Sequence, residues 1–254
     1  MSDLNRRDFI RTAGAAGIGA SLTTLVSSCA STNLSRGGRA SLIEFKVPPI
    51  ENVRVAYVGV GGMGSAHVRN LLKIEGCQIT AVCDIVPERV ERVQKWVEDA
   101  GFPKPTGYTR GDWDFQRLCE TEDLDLVYTA TPWEWHTPVC VAAMKNGKHA
   151  ATEVNAAFSI EECWELVETA EKTQRHCVMM ENCCYDRTEM KILNMVKQGL
   201  FGELLHGECG YLHDLRALKF SDGGEGLWRR QWSITHDANL YPTHGLGPIA
   251  QCMD

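Results

Sequence analysis

No apolar run in the 254-residue sequence is long enough to cross a bilayer as a stable helix. Basic residues are in the minority: 26 Lys and Arg stand against 33 Asp and Glu, for a formal net charge of -7. Residues 1–28 hold Arg6, Arg7 and Arg11 against Asp3 and Asp8, so the rest of the chain is the more acidic part. That chain lacks the basic footprint nucleic acid requires, and no nucleic-acid partner is expected. No internal repeat is present, and no low-complexity tract beyond the first residues. The eleven cysteines show neither disulfide-scaffold nor metal-site spacing, so no metal is expected. What is present is a near-average composition, 44% hydrophobic and 23% charged. That excludes a wholly disordered, collagen-like or polytopic membrane chain and suits one or two globular domains.

The first 29 residues read as an address. Asn5-Arg6-Arg7-Asp8-Phe9-Ile10 sets two adjacent arginines before a weakly apolar, Ala/Gly-rich run from Ala13 to Val26. This resembles a twin-arginine export signal, which implies the twin-arginine machinery as a partner and an exported destination. Leu25-Val26-Ser27-Ser28-Cys29 resembles a lipobox, with Cys29 as the lipid-bearing residue of a periplasmic, membrane-anchored lipoprotein. Ordinary cleavage after Ser28-Cys29-Ala30 is the alternative. Export of an already folded chain reconciles many free thiols with an oxidising destination. Cys77, Cys83, Cys140, Cys163 and Cys177 lie in apolar or amphipathic runs and read as small hydrophobes, and the adjacent Cys183-Cys184 as packing residues. Residues 30–50 read as a linker.

From residue 53 the pattern alternates strand with helix. Strands are expected at 53–60, 78–84, 106–108, 124–130, 149–153 and 177–181. Helices are expected near 63–74, 87–100, 114–120, 137–146 and, behind a Ser159/Glu162 capping box, up to 173. Val90, Val93 and Val97 share one face of the second helix. Such alternation predicts right-handed crossovers and a doubly wound, parallel Rossmann sheet of class α/β over residues 51–186. Residues 187–254 change grammar. A helix is expected at 187–198, the first strand of a second, α+β substrate domain at 202–212, loop at 213–242, and a helix starting near Thr243.

Gly59-Val60-Gly61-Gly62-Met63-Gly64 fits G-x-G-x-x-G between a buried strand and a helix, with Asp84 twenty residues after Gly64. That context is the dinucleotide fingerprint. Gly59 permits the turn, Gly61 the approach of the pyrophosphate, and Gly64 close helix–strand packing. Asp84 is expected to accept hydrogen bonds from ribose hydroxyls and to repel a 2′-phosphate, which favours NAD as cofactor. Trp133-Glu134-Trp135-His136, Glu153-Val154-Asn155 and Glu181-Asn182 end later strands at the same crevice. The two tryptophans suit either a cofactor wall or core.

These motifs resemble the glucose-fructose oxidoreductase and inositol dehydrogenase superfamily, with one departure. Where most members carry Glu-Lys-Pro with a catalytic Lys, this chain reads Glu153-Val154-Asn155. A narrower resemblance, to glycoside hydrolase family 109, rests on Met179–Tyr185, His206–Tyr211 and His236–Pro248, on Trp133–His136 and on the leader. It implies an NAD-dependent α-N-acetylgalactosaminidase acting on glycans with terminal α-N-acetylgalactosamine. It implies NAD contacts from Gly62, Met63, Asp84, Trp133, Glu134, Trp135, His136, Glu153, Val154 and Asn182. It implies sugar contacts from Tyr211, Arg230, Tyr241, Pro242, Thr243 and His244.

The chemistry the resemblance implies is oxidation at carbon 3, elimination across carbons 2 and 1, addition of water and re-reduction, in place of the two-carboxylate route. The superfamily Lys being absent, His244, Tyr241 and Tyr185 are the candidate catalytic residues, and which tyrosine serves which step stays open. An imidazole titrates near 6.5, whereas a phenol must be pulled down from about 10 by a neighbouring cation. Arg229-Arg230, between Trp228 and Trp232, suits sugar binding or a domain interface alike. An exported sugar oxidoreductase is the alternative function, and an inactive NAD-binding remnant a third. A complete substrate domain does not fit in the remaining residues, so an incomplete second domain, exposed apolar surface and weak or no activity are expected.

Overall fold

The computed structural model describes residues 41, 42 and 44–253. The expected leader, Cys29 and nearly all of the linker lie outside the described residues. Contacts divide the chain into Met1–Ile43 and Glu44–Asp254, and every element named below belongs to the second unit.

Strands β1 (Val53–Val58), β2 (Cys77–Cys83), β3 (Thr106–Tyr108), β4 (Leu126–Thr129), β5 (His149–Thr152) and β6 (Cys177–Met179) pair in the order β3-β2-β1-β4-β5-β6. Every pairing is parallel. The order reverses between β1 and β4, where a doubly wound sheet opens its ligand crevice. Strands buried on both faces read as apolar runs, hence Val55, Ala56, Tyr57 and Val58 are all buried. β1 ends two residues before the expected Val60 because Gly59, at φ +81°, turns the chain out of the sheet.

Between the strands run α1 (Gly62–Leu71), α2 (Pro87–Asp99), α3 (Asp114–Thr121), α4 (His136–Lys145) and α5 (Ile160–Thr173). In α2 the helical spacing does what it predicts: Val90, Val93 and Val97 are 2%, 0% and 0% exposed, against Val55, Ile79 and Val82 of the sheet. Each such side chain contributes about 1.5–3 kcal/mol on burial. The α5 capping box forms, with Glu162 N–H donating to Ser159 Oγ at 3.0 Å and Ser159 N–H to Glu162 Oε2 at 3.3 Å. A cap of this kind stabilises a helix by about 1 kcal/mol.

After the sheet come α6 (Arg187–Lys197), α7 (Arg216–Lys219), α8 (Glu225–Thr235) and α9 (Thr243–Met253). Two expectations need correction. Residues 202–212 keep their alternation but form no strand, and Leu205 and Leu212 are 85% and 99% exposed. A strand exists only as part of a ladder, and no strand among the described residues pairs with this segment. Residues 213–242, expected as loop, contain α7 and α8. The helical conformation of α8 is fixed by aromatic packing onto distant parts of the chain: Trp228 lies edge-on to Trp133, and Trp232 stacks on Phe158 at 4.1 Å. Among the cysteines, Cys83, Cys140 and Cys184 are buried, whereas Cys163, expected to pack, is exposed.

Candidate functional site

The crevice between β1 and β4 holds a cleft of about 680 Å³. Its floor is the glycine turn. A Cβ on Gly64 would lie 2.0 Å from the carbonyl oxygen of Gly59, and one on Gly59 would lie 2.8 Å from Thr131. Those two glycines are required by packing. Gly61 faces the cleft, where an added Cβ would meet only Arg89, at 3.6 Å. The bare backbone there, opening α1, is a cradle of the shape a dinucleotide pyrophosphate needs.

Asp84 lines the cleft, but its carboxylate is buried and occupied. Oδ2 accepts from Val60 N–H at 2.9 Å, and Oδ1 from Val86 N–H at 2.9 Å and Arg89 Nη1 at 3.4 Å. A carboxylate has about four acceptor positions, so one is left for a ribose hydroxyl. Asp84 therefore braces the glycine turn against the start of α2, and Arg89 offsets part of the charge expected to repel a 2′-phosphate.

Trp133, Trp135 and His136 wall the far side of the cleft. Trp133 is both wall and core, only 5% exposed. His136 is buried, with Nδ1 2.5 Å from the carbonyl oxygen of Asn155 and Nε2 3.0 Å from that of Thr131. Glu134 faces outward and accepts from Trp232 Nε1 at 3.3 Å. At the end of β5, Glu153 and Val154 line the cleft. Burial alone would raise the Glu153 carboxyl, but the His67 imidazole, 2.5 Å away, and the Tyr128 hydroxyl, at 2.8 Å, outweigh it and hold the group below the ordinary carboxylate range. Val154 stands where the wider superfamily carries its Lys, and it is 2% exposed.

The block from Tyr241 to His244 is tied to the end of β5 by Asn155. Asn155 Nδ2 donates to the carbonyl oxygen of Leu240 at 2.9 Å, and Thr243 Oγ1 to Asn155 Oδ1 at 3.4 Å. Tyr241 thereby reaches the cleft and lies on Trp133, with ring centroids 5.7 Å apart. His244 sits edge-on to Tyr241 at 4.8 Å and to Tyr211 at 4.7 Å. Burial pushes the Tyr241 phenol up to about 12, against the pull of the nearby Arg229 guanidinium. The phenol expected to be lowered by a cation thus keeps its proton at neutral pH.

Gly59, Gly61, Gly62, Met63, Asp84, Trp133, Trp135, His136, Glu153, Val154 and Tyr241 meet in one cleft. Tyr211, Thr243 and His244 gather beside it through the contacts just described. Tyr185 and Asn182 are exposed in a 3-10 turn, Asn182–Tyr185, behind β6. Arg230 points its Nη2 to the carbonyl oxygen of Ser221 at 3.2 Å, and Pro242 sits at the start of α9 without lining the cleft. The neighbour, Arg229, lines the cleft instead, with its guanidinium carbon 5.0 Å from the Trp133 ring, 4.7 Å from Trp228 and 5.4 Å from Tyr241. The sequence offered both arginines, and only the rotation of α8 distinguishes them. Asn155 was legible only as a departure from Glu-Lys-Pro.

Residues 53–181 match the oxidoreductase family with NAD-binding Rossmann fold, and residues 185–254 match the glycosyl hydrolase 109 C-terminal domain. The chain belongs to glycosyl hydrolase family 109. A family 109 protein of Solibacter usitatus is 48% identical over the whole chain, which covers 56% of that protein. An α-N-acetylgalactosaminidase of Shewanella oneidensis is 42% identical, again over 100% of this chain and 56% of the relative. The chain thus spans little more than half the length of these relatives. Among solved structures, scyllo-inositol dehydrogenase of Lactobacillus casei with bound NAD(H) and scyllo-inositol superimposes with a TM-score of 0.53 at 21% identity, over 60% of this chain and 43% of that one. That likeness is one of fold. The family 109 chain carries the NAD-binding sheet together with the block that packs beside its cleft.

Proposed function

We propose that this chain forms the cofactor and sugar site of an exported, NAD-dependent glycosidase that releases terminal α-N-acetylgalactosamine. The observation that carries the reading is the stacking of Tyr241 on the Trp133 wall of the dinucleotide cleft, with His244 edge-on to Tyr241. The 42% identity to the Shewanella oneidensis enzyme supports the substrate class. The Arg6-Arg7 leader supports export.

NAD, when bound, supplies a hydride acceptor and donor for carbon 3 of the sugar. The chain's own residues handle protons. A ketone at carbon 3 acidifies the hydrogen on carbon 2, and His244 accepts it. Tyr241, protonated at neutral pH, donates to the leaving oxygen on carbon 1. Water then returns hydroxyl to carbon 1 and hydrogen to carbon 2. With the hydride restored, the sum is hydrolysis with retained configuration, and the cofactor is unchanged. The buried, occupied carboxylates of Asp84 and Glu153 do not suit a two-carboxylate mechanism.

The test is incubation with a nitrophenyl α-N-acetylgalactosaminide and NAD. Release of nitrophenol without net NADH supports the glycosidase. Sugar-dependent NADH without nitrophenol makes the protein a sugar oxidoreductase instead, the reading its Rossmann family favours. Deuterium at product carbon 2 after turnover in heavy water supports the elimination route, and its absence excludes a freely exchanging base.

A further inference from the structure

We propose that Glu181 is the positioning partner of His244, holding the imidazole with its proton on Nδ1 so that Nε2 is the free proton acceptor. The inference rests on the reading above only in naming what Nε2 accepts. Glu181 Oε1 lies 2.6 Å from His244 Nδ1, and the two side chains are 5% and 9% exposed. The same oxygen accepts from Cys183 N–H at 3.0 Å. An ionised carboxylate only accepts, so the proton between the pair belongs to Nδ1, and a neutral imidazole protonated there has a bare Nε2.

Three further observations point the same way. Glu181 Oε2 is buried with no hydrogen-bond partner among the described residues, a destabilising arrangement that a purely structural residue would not need. Tyr211 and Tyr241 both present edge-on contacts to the imidazole, at 73° and 87°, and confine the ring. The backbone of α9 is shaped for the contact. A Cβ at Gly247 would meet Glu181 Cγ at 2.9 Å and Cys184 Sγ at 2.8 Å, and one at Gly245 would meet the backbone nitrogen of Gly210 at 2.9 Å. Gly247, three residues after His244, lets the helix come close to Glu181, and Gly245 lets it come close to the backbone of Gly210.

Glu181, Cys183 and His244 together also have donor atoms within 4.8 Å of one another, a set that suits a metal ion by type. Two atoms ligating one tetrahedral zinc at its usual bond lengths stand about 3.3 Å apart. The Glu181–His244 separation is that of a shared proton.

The test uses the full chain labelled with 15N-histidine, metal-free, at neutral pH. Long-range 1H–15N spectra are assigned with His244→Gln. The wild type is expected to show His244 protonated on Nδ1 and bare on Nε2. In Glu181→Gln, with near-UV circular dichroism unchanged, that pattern is expected to give way to the other tautomer, and Glu181→Asp to restore part of it. In turnover of the nitrophenyl sugar, Glu181→Gln is expected to lose about 10²–10⁴-fold in kcat with little change in KM. An Nε2–H tautomer in the wild type overturns the proposal, and so does an unchanged tautomer in folded Glu181→Gln. Should Glu181→Gln not fold, the wild-type spectrum decides alone. A wild type with the Nδ1–H tautomer but no glycosidase activity would remove the functional reading and leave the positioning role standing.

Discussion

Tyr241 lies on Trp133 with ring centroids 5.7 Å apart and planes 23° from parallel. The first residue belongs to the family 109 C-terminal match and the second to the Rossmann match, so one stack joins the two sequence regions at the cleft. Offset stacks of this kind contribute about 0.5–1.5 kcal/mol beyond area burial. Tyr241→Phe keeps the ring and removes only the hydroxyl. It is expected to melt within a degree or two of the wild type and to lose about 10²-fold or more in nitrophenol release. Trp133→Ala is expected to lower stability by about 3–5 kcal/mol and to weaken NAD binding, read by denaturant unfolding and calorimetry.

Gly64 has no room for a side chain, its Cβ position lying 2.0 Å from Gly59 O. Gly64→Ala must displace either α1 or the glycine turn. The expected cost is about 3 kcal/mol, at the upper end for overpacking, together with loss of NAD affinity. A melting temperature and NAD affinity equal to wild type would contradict the tight fit.

Arg229 is a cation beside the Tyr241 ring that opposes the effect of burial. Arg229→Met removes that pull. The phenol, already up at about 12, is expected to titrate higher still, as followed by ultraviolet difference absorption against Tyr241→Phe.

Asp125 accepts Arg54 Nε at 3.0 Å, Nη2 at 2.9 Å and the Arg54 backbone N–H at 2.8 Å, locking the start of β1 to the approach of β4. The Arg54 guanidinium holds the Asp125 carboxyl below its usual value. A lowered carboxyl stabilises the fold above the unfolded value of about 3.9 and loses that contribution as pH falls through the folded value. Asp125→Asn is expected to cost about 1–2 kcal/mol at pH 7, allowing for solvent screening of the half-exposed Arg54. Its acid limb of stability against pH should be shallower than that of the wild type, with the two curves converging in strong acid.

The sheet was legible because its signals are local. Gly59 to Gly64 with Asp84, the valines of α2 and the Ser159 cap each encode their conformation within a few residues. Residues 202–212 carried an equally clear alternation and formed no strand, since pairing depends on a partner that the segment does not contain. Residues 225–235 read as loop and yet form α8, held by rings far away in the chain.

Sequence alone determined the Rossmann architecture, the dinucleotide turn and which residues stand at the strand ends. Those follow from periodicity and from backbone positions that only glycine can occupy. Tertiary structure decided which of two adjacent arginines faces the cleft, that Asp84 is largely consumed by its own loop, and that Glu181 meets His244. These outcomes depend on helix rotation and on approaches of a few ångströms between distant segments. A one-dimensional pattern does not encode them, because hydrogen bonds and ring contacts are set by where packed elements come to rest.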